Sequence, residues 1–286
     1  MQFKNTINNA GVETFLSGDQ ELAETKLREA ILLNAKDSSA YNNLAFILQQ
    51  KGKLDEAEKA ARKSLKIDNS SSSAWLNLGN ILVQKGTGEE GVQCITKAIE
   101  IAPDNVLAWE SLATISMLQQ DYFAAEKCWN TVVSIKPEAA KYWVQLWLVK
   151  AGLKKSDEAV ECLHKSLEIN DAEPFAWSQL GIIEFMRNNY GMAERALMNA
   201  LAYSPDDEST RYHLALIYLA KNDVHKASKE FDRILTVNPL NVKVLTERGI
   251  LELASGDNTG AKKYFTSALQ IDPQYQRANG YLDNTA

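Results

Sequence analysis

The chain has 286 residues, 31 basic against 37 acidic side chains, a net charge of −6 and no run of Lys or Arg. Binding to nucleic acid through phosphates needs clustered positive charge, so no nucleic-acid partner is expected. No stretch approaches the roughly eighteen apolar residues of a spanning helix, and Met1 to Thr6 holds no apolar signal core. The expectation is a cytoplasmic protein without direct membrane insertion.

A period of thirty-four residues runs through the whole sequence. Each period predicts two helices, because apolar and small residues recur at spacings of three and four on one stripe. The first, 4–37, carries Gly11 on its first helix, turns at Gly18 and places Ala23 on the second. The next, 38–71, has Tyr41, Leu44, Ala45 and Leu48, then Gly52, Ala57 and Ala61. In 72–105 the same places hold Trp75, Leu78, Gly79, Leu82, Gly86, Gly91 and Ile95, closed by Pro103. Repeat 106–139 shows Trp109, Leu112 and Ala113, then Ala125, Trp129 and Val132.

In 140–173, Trp147 stands where the other repeats have Gly or Ala, and Lys150 stands where Leu48 and Leu82 stood. The expectation is a helix pair that opens, or a register that shifts, around Trp147. Repeats 174–207, 208–241 and 242–275 return to the pattern with Gly181, Ala215 and Gly249, facing Ala193, Ala227 and Ala261. Asn188, Asn222 and Gly256 supply residue types suited to the left-handed end of a helix. Residues 276–286 start a ninth first helix that Asn279-Gly280 weakens. Phe265 and Leu269 are then expected to be largely uncovered, so the expectation is a homo-oligomer contact through the C-terminal end or a longer natural chain.

Cys94, Cys128 and Cys162 share one position of three successive repeats. Stacked helices lie about 8–10 Å apart, beyond a disulfide's reach, so reduced structural thiols are expected. Lys26, Glu230 and Tyr264 occupy the same position elsewhere, which points to half burial.

No catalytic constellation stands out. Gly86-Thr-Gly88-Glu-Glu-Gly91 has the spacing of a dinucleotide fingerprint, but it follows a predicted helix and not a strand, and Glu89 and Glu90 would repel phosphates. His164, His213 and His225 fall at different phases of the repeat, so they form no metal site by helical spacing. Asp206-Asp207-Glu208 follows Pro205 at a predicted helix start, where carboxylates complement the dipole. The expectation is a non-enzyme with no catalytic residue, no metal and no cofactor.

The pattern W-x2-L-G, followed by Ala, a large apolar residue, Ala and Pro, resembles the tetratricopeptide repeat family. It rests on Trp75, Leu78, Gly79, Gly91, Ile95, Ala98 and Pro103 and their equivalents over nearly the whole chain. The resemblance implies an all-α, right-handed superhelical solenoid of eight helix-turn-helix repeats. It also implies a groove lined by first helices, with contacts from the second, fifth, sixth, ninth, twelfth and thirteenth positions of each repeat. Transferred residue by residue, these positions give amides in the N-terminal half, among them Asn5, Asn8, Asn9, Asn42, Asn43, Asn77, Asn80 and Gln84. The C-terminal half gives Val144, Leu148, Phe175, Ile182, Phe185, Met186, Tyr212 and Leu216, with Gln145, Gln179 and His213 between them.

Asn9, Asn43 and Asn77 share the sixth position, and the row resembles the asparagine ladder in the repeat domain of O-GlcNAc transferases. An amide can donate to and accept from a peptide backbone, so such a row can hold an extended chain; exposed asparagine as solvated filler is the other reading. The Lys and Asn pattern of the family's two-carboxylate clamp is absent, since Asn8, Ser73 and Leu76 stand at the lysine places. The expected function is a non-catalytic scaffold holding a peptide or helix of a protein partner, chiefly through the apolar C-terminal half of the groove. A self-assembling structural protein and a substrate-recruiting module of a separate enzyme are the alternatives.

Overall fold

The computed structural model describes residues 2–282, with side chains from residue 7 onward. The Asn5 side chain and residues 283–286 of the expected C-terminal stub lie outside the described residues. Among the described residues there are seventeen helices and no strand, the all-α solenoid class expected from the period. The chain divides into two compact units, Met1–Lys155 and Ser156–Ala286.

The N-terminal unit runs through α1 (Gln2–Leu16), α2 (Gln20–Leu33), α3 (Ser38–Gln50), α4 (Leu54–Ile67), α5 (Ser72–Gln84), α6 (Gly88–Ile101), α7 (Val106–Leu118), α8 (Tyr122–Ile135) and α9 (Ala140–Gly152). The C-terminal unit holds α10 (Ser156–Ile169), α11 (Pro174–Met186), α12 (Tyr190–Tyr203), α13 (Glu208–Ala220), α14 (Val224–Val237), α15 (Val242–Ala254), α16 (Asn258–Ile271) and α17 (Gln276–Leu282). In each unit every helix packs on the next, and first helices also touch first helices: α1 with α3, α3 with α5, α5 with α7, and in the other unit α11 with α13 and α15 with α17.

Local chemistry starts and stops these helices. Asp37, Ser71, Asn105, Asp207 and Asn241 share one position, and each accepts a backbone N–H three residues on, satisfying a donor that an α-helix start leaves orphaned. At the turn, Gly18, Gly52, Gly86 and Gly256 have positive φ, and Asn188 and Asn222 take the same conformation at +62° and +59°. Gln120 and Lys154 adopt it as well, each at +60°, without the side chains that make it cheap.

A second recurring link ties the start of five repeats to the turn before them. The indole Nε1 of Trp75, Trp109, Trp143 and Trp177 donates to the carbonyl six residues earlier, at 2.7–2.9 Å. Arg211 replaces the indole with a guanidinium that donates to the Pro205 carbonyl. The aromatic that opens a repeat therefore clips the inter-repeat turn.

The small residues permit close approach. A Cβ on Gly79 would lie 2.8 Å from the Gly91 carbonyl and 2.6 Å from Ile95 Cγ1, so α5 and α6 meet almost backbone to backbone. Ala45, Ala57, Ala113 and Ala125 are fully buried at the corresponding places. The buried apolar residues gather into clusters, two of them in the N-terminal unit and two in the C-terminal unit.

Two expectations are revised. Cys94, Cys128 and Cys162 are buried, not half buried; Cys94 belongs to the apolar cluster that includes Leu65 and Leu78 of the two preceding helices. Burial raises the Cys94 thiol above its ordinary pKa and holds Cys128 at about 11, which keeps both in the thiol form. Phe265 is fully buried: α17 lays Tyr281 on it with ring centroids 5.9 Å apart, and Ala278 and Leu282 of α17 join the same apolar cluster, in which Leu269 is half-buried. The argument for association through an uncovered Phe265 therefore lapses. Lys150 is buried because its Nζ reaches Glu126 Oε1 at 3.3 Å, where Lys155 also donates at 2.8 Å. Trp147 is buried on α9; the pair expected to open there, α9 with α10, spans the boundary of the two units, and each unit is described by itself.

Candidate functional site

In the N-terminal unit, α3, α5 and α7 line a cleft of about 570 Å³. Its polar side carries Asn77, Asn80, Gln84 and Glu110, and its apolar side Phe46, Leu107 and Leu118. These three hydrophobes are 37%, 63% and 77% exposed, far from the burial that large apolar side chains reach inside the same unit.

The amides are already partly engaged. Asn43 Nδ2 donates to Asn8 Oδ1 at 3.0 Å, and Asn77 Nδ2 donates to Asn42 Oδ1 at 2.9 Å. The sixth-position amide of one repeat thus binds the fifth-position amide of the repeat before. Leu76 and Ser111 hold the next pair of places, so the row stops there. Each sixth-position amide keeps its own carbonyl and a second N–H, which leaves capacity for a ligand. Asn9 is exposed, while Asn43, Asn77 and Asn80 are half-buried. Gln145 is half-buried and Leu148 exposed on α9.

In the C-terminal unit the same fifth and sixth places carry charge. Tyr212 Oη donates to Glu247 Oε1 at 2.9 Å, and Arg277 grips both oxygens of that carboxylate at 2.6 and 3.0 Å. Lys243 Nζ lies 3.7 Å from the centroid of the Tyr212 ring, a cation–π contact. Burial first, and the neighbouring Glu247 carboxylate second, raise the Tyr212 pKa far above its ordinary value. His213 Nδ1 donates to the Ser209 carbonyl at 2.7 Å.

Phe175 and Gln179 line a smaller cleft of about 320 Å³ with Ser178, Asp207 and Thr210. Ile182 is half-buried, and Phe175 is 44% exposed. Tyr212 and Phe185 instead pack on the core of this unit, Tyr212 against Phe231 at 5.7 Å and Phe185 against Tyr190 at 5.9 Å. The structure therefore brings Asn77 and Asn80 into one cleft and Phe175 and Gln179 into another, and turns Tyr212 partly inward.

Phe46, Leu107 and Leu118 were not singled out in the sequence, although they occupy the ninth, second and thirteenth positions of their repeats. The signal was there; the amide row around them masked it. Among the described residues no group of His, Cys, Asp and Glu could hold a metal ion, and no helix is long and apolar enough to cross a membrane.

Family models of the tetratricopeptide repeat match residues 38–71, 72–105 and 212–276. No curated protein matches the chain in sequence. Among solved structures, the chain is similar to the C-terminal part of a TPR repeat-containing protein from Cytophaga hutchinsonii, at 16% identity and a TM-score of 0.71 over 83% of this chain and 98% of that one. It is also similar to PilW, a type IV pilus biogenesis factor, at 21% identity and a TM-score of 0.58 over 74% of this chain and 98% of that one. A MamA protein matches at 20% identity with a TM-score of 0.54 over 60% of this chain and 94% of that one. Identities this low show a shared fold.

Proposed function

The chain belongs to the tetratricopeptide repeat family, whose modules bind protein partners and are in general non-catalytic, and on that premise we propose that it is a scaffold holding a segment of a partner protein on its first helices. The reading includes the division into eight repeats over 4–275. The observation that carries it is the cleft on α3, α5 and α7, where Phe46, Leu107 and Leu118 are exposed beside Asn77 and Asn80.

Burying one large apolar side chain contributes about 1.5–3 kcal/mol, and micromolar affinity requires roughly 8 kcal/mol after ordering costs. Three or four such contacts are needed together, and this cleft offers them with amides that hold backbone. Asn9 and Asn43 extend the same face toward α1. The C-terminal set of Phe175, Gln179, Ile182, Tyr212 and His213, with Gln145 and Leu148, is the secondary contact, because Tyr212 and Phe185 are drawn into packing.

The test is capture of the partner followed by affinity measurement with Leu107→Asp and Leu118→Gln, both at exposed sites that leave the core intact. We expect a loss of about tenfold or more for the pair, corresponding to about 1.4 kcal/mol or more, and a smaller loss for Phe175→Ala. Undiminished binding by the double variant would remove the N-terminal cleft as the site.

A further inference from the structure

We infer that the N-terminal unit carries a second docking cleft, on its second-helix face, for an acidic segment of a protein partner with an apolar side chain between its carboxylates. The cleft measures about 580 Å³ and opens between α4, α5 and α6. Its apolar wall is Leu65, Leu78 and Cys94, all buried, and the half-buried ring of Trp75. The Trp75 indole is held in place by its Nε1 bond to the Asn69 carbonyl, 2.9 Å, so the wall is formed before any ligand arrives.

The rim sets the charge. Arg62, Lys66 and Lys97 line it against one carboxylate, Glu90. Arg62 bridges to Glu90 and to Glu58, each at 2.7 Å, and Lys97 bridges to Glu100 at 2.8 Å. In the Arg62–Glu90 and Lys97–Glu100 pairs all four side chains are 48–59% exposed, and pairs of that kind are weak enough to exchange for another carboxylate. Lys66 is exposed and makes no ion pair among the described residues. An incoming carboxylate therefore meets one unengaged cation and two that can be shared, while an apolar side chain beside it reaches Trp75.

The C-terminal unit supplies an internal control. Three repeats further on, α10, α11 and α12 form the same cleft at about 460 Å³ under Trp177 and Leu180. There His164, Glu168 and Asn199 stand in place of Arg62, Lys66 and Lys97, and Met192 in place of Glu90. Glu184 also lines it, and Arg195 is the lone Lys or Arg. Two clefts of one geometry thus carry opposite charge balance. Shape is common to both, so charge is what distinguishes their ligands. The inference is independent of the first-helix reading, since it uses the other face of the N-terminal unit.

The experiment follows the indole Nε1–H resonances of Trp75 and Trp177 in the isotope-labelled full chain. The probe is the capped peptide Asp-Glu-Phe-Asp-Glu, and the control is Asn-Gln-Phe-Asn-Gln. We expect saturable shifts of Trp75 with the acidic peptide, little change at Trp177, and binding weaker by about tenfold with the amide peptide, the size expected for losing a charge-assisted contact. Lys66→Glu combined with Lys97→Asn installs residue types that the chain already tolerates at Glu168 and Asn199, and should abolish the Trp75 shift. Lys66→Gln alone should weaken it while leaving thermal unfolding unchanged. A silent Trp75, equal shifts at Trp75 and Trp177, or equal affinity for both peptides would overturn the inference.

Discussion

The two units use the same pair of sequence positions to join neighbouring first helices, and they use them with different chemistry. In the N-terminal unit the link is a neutral amide pair, Asn8 with Asn43 and Asn42 with Asn77. In the C-terminal unit it is a carboxylate, Glu247, only 8% exposed and held by Tyr212 and Arg277. The difference teaches what each link tolerates. A neutral pair loses about one hydrogen bond when it is cut, whereas a buried carboxylate stripped of its cation retains its desolvation penalty. The amide link also keeps donors and acceptors for a ligand, while the charged link is saturated by its own partners.

The sharpest way to break the comparison is Arg277→Met. Glu247 would be left buried without its cation, at a loss of about 3 kcal/mol, read as faster amide hydrogen exchange across α15 to α17. Adding Glu247→Gln should restore most of the protection. Equal exchange in the single and double variants would mean that the charge is not what matters there.

The close helix contacts offer a second contrast. Gly79→Ala must push against the Gly91 carbonyl, a backbone atom, and should destabilise the N-terminal unit by about 2–3 kcal/mol. Gly181→Ala in the other unit meets Leu197 Cδ2 at 2.5 Å, with the Ala193 carbonyl farther off at 3.2 Å. A side-chain end can shift, so about 1 kcal/mol is expected. Chemical unfolding of the two variants checks the order.

Acid should separate the units next. Burial alone would raise the Glu24 carboxyl, but hydrogen bonds from Lys51, Arg28 and Lys53 outweigh it and bring the pKa from 4.5 down to about 2. A lowered folded value stabilises above the ordinary pKa and is lost as pH falls toward the folded one. Glu24 should therefore contribute its full share, roughly 1–2 kcal/mol after screening by solvent, above pH ~4.5 and lose it by pH ~2. Glu24→Gln should flatten that part of the pH dependence in the N-terminal unit, and an unchanged acid profile would count against this account.

The smallest effect is expected at the amide link itself. Asn77→Ser places there the residue type that the next repeat has at Ser111, and should destabilise by about 1 kcal/mol or less. If partner affinity drops more than stability does, the free half of the Asn77 amide contacts the ligand.

The helices and turns were readable because their causes are local or periodic. The turn glycines and the small residues Gly79 and Gly91 each act within one repeat, so the thirty-four-residue spacing exposes them; the cap row from Asp37 to Asn241 follows the same spacing, but its hydrogen bonds appear only in the fold. The site was readable only in part. Asn77 with Asn80 and Phe175 with Gln179 were assigned by the family positions, and each pair lines one cleft, which places them side by side without testing that they bind. Phe46, Leu107 and Leu118 occupy the same family positions, and only the fold shows them exposed along one cleft.

What the sequence by itself determined is the all-α repeat architecture, since the apolar stripes of one helix pair can be closed off from water only by the partner helix and the stacked neighbouring repeat together. What only the tertiary structure decided is which polar and aromatic groups remain available. Asn8 and Asn43, thirty-five residues apart, satisfy one another; Tyr212 turns onto Phe231 and Glu247; Phe265 is covered by Tyr281. The physical reason is common to all three. Exposure and hydrogen-bond satisfaction are set by whichever neighbouring helix packs on the residue, and a helical period specifies the face a residue occupies without specifying the atoms that meet it there.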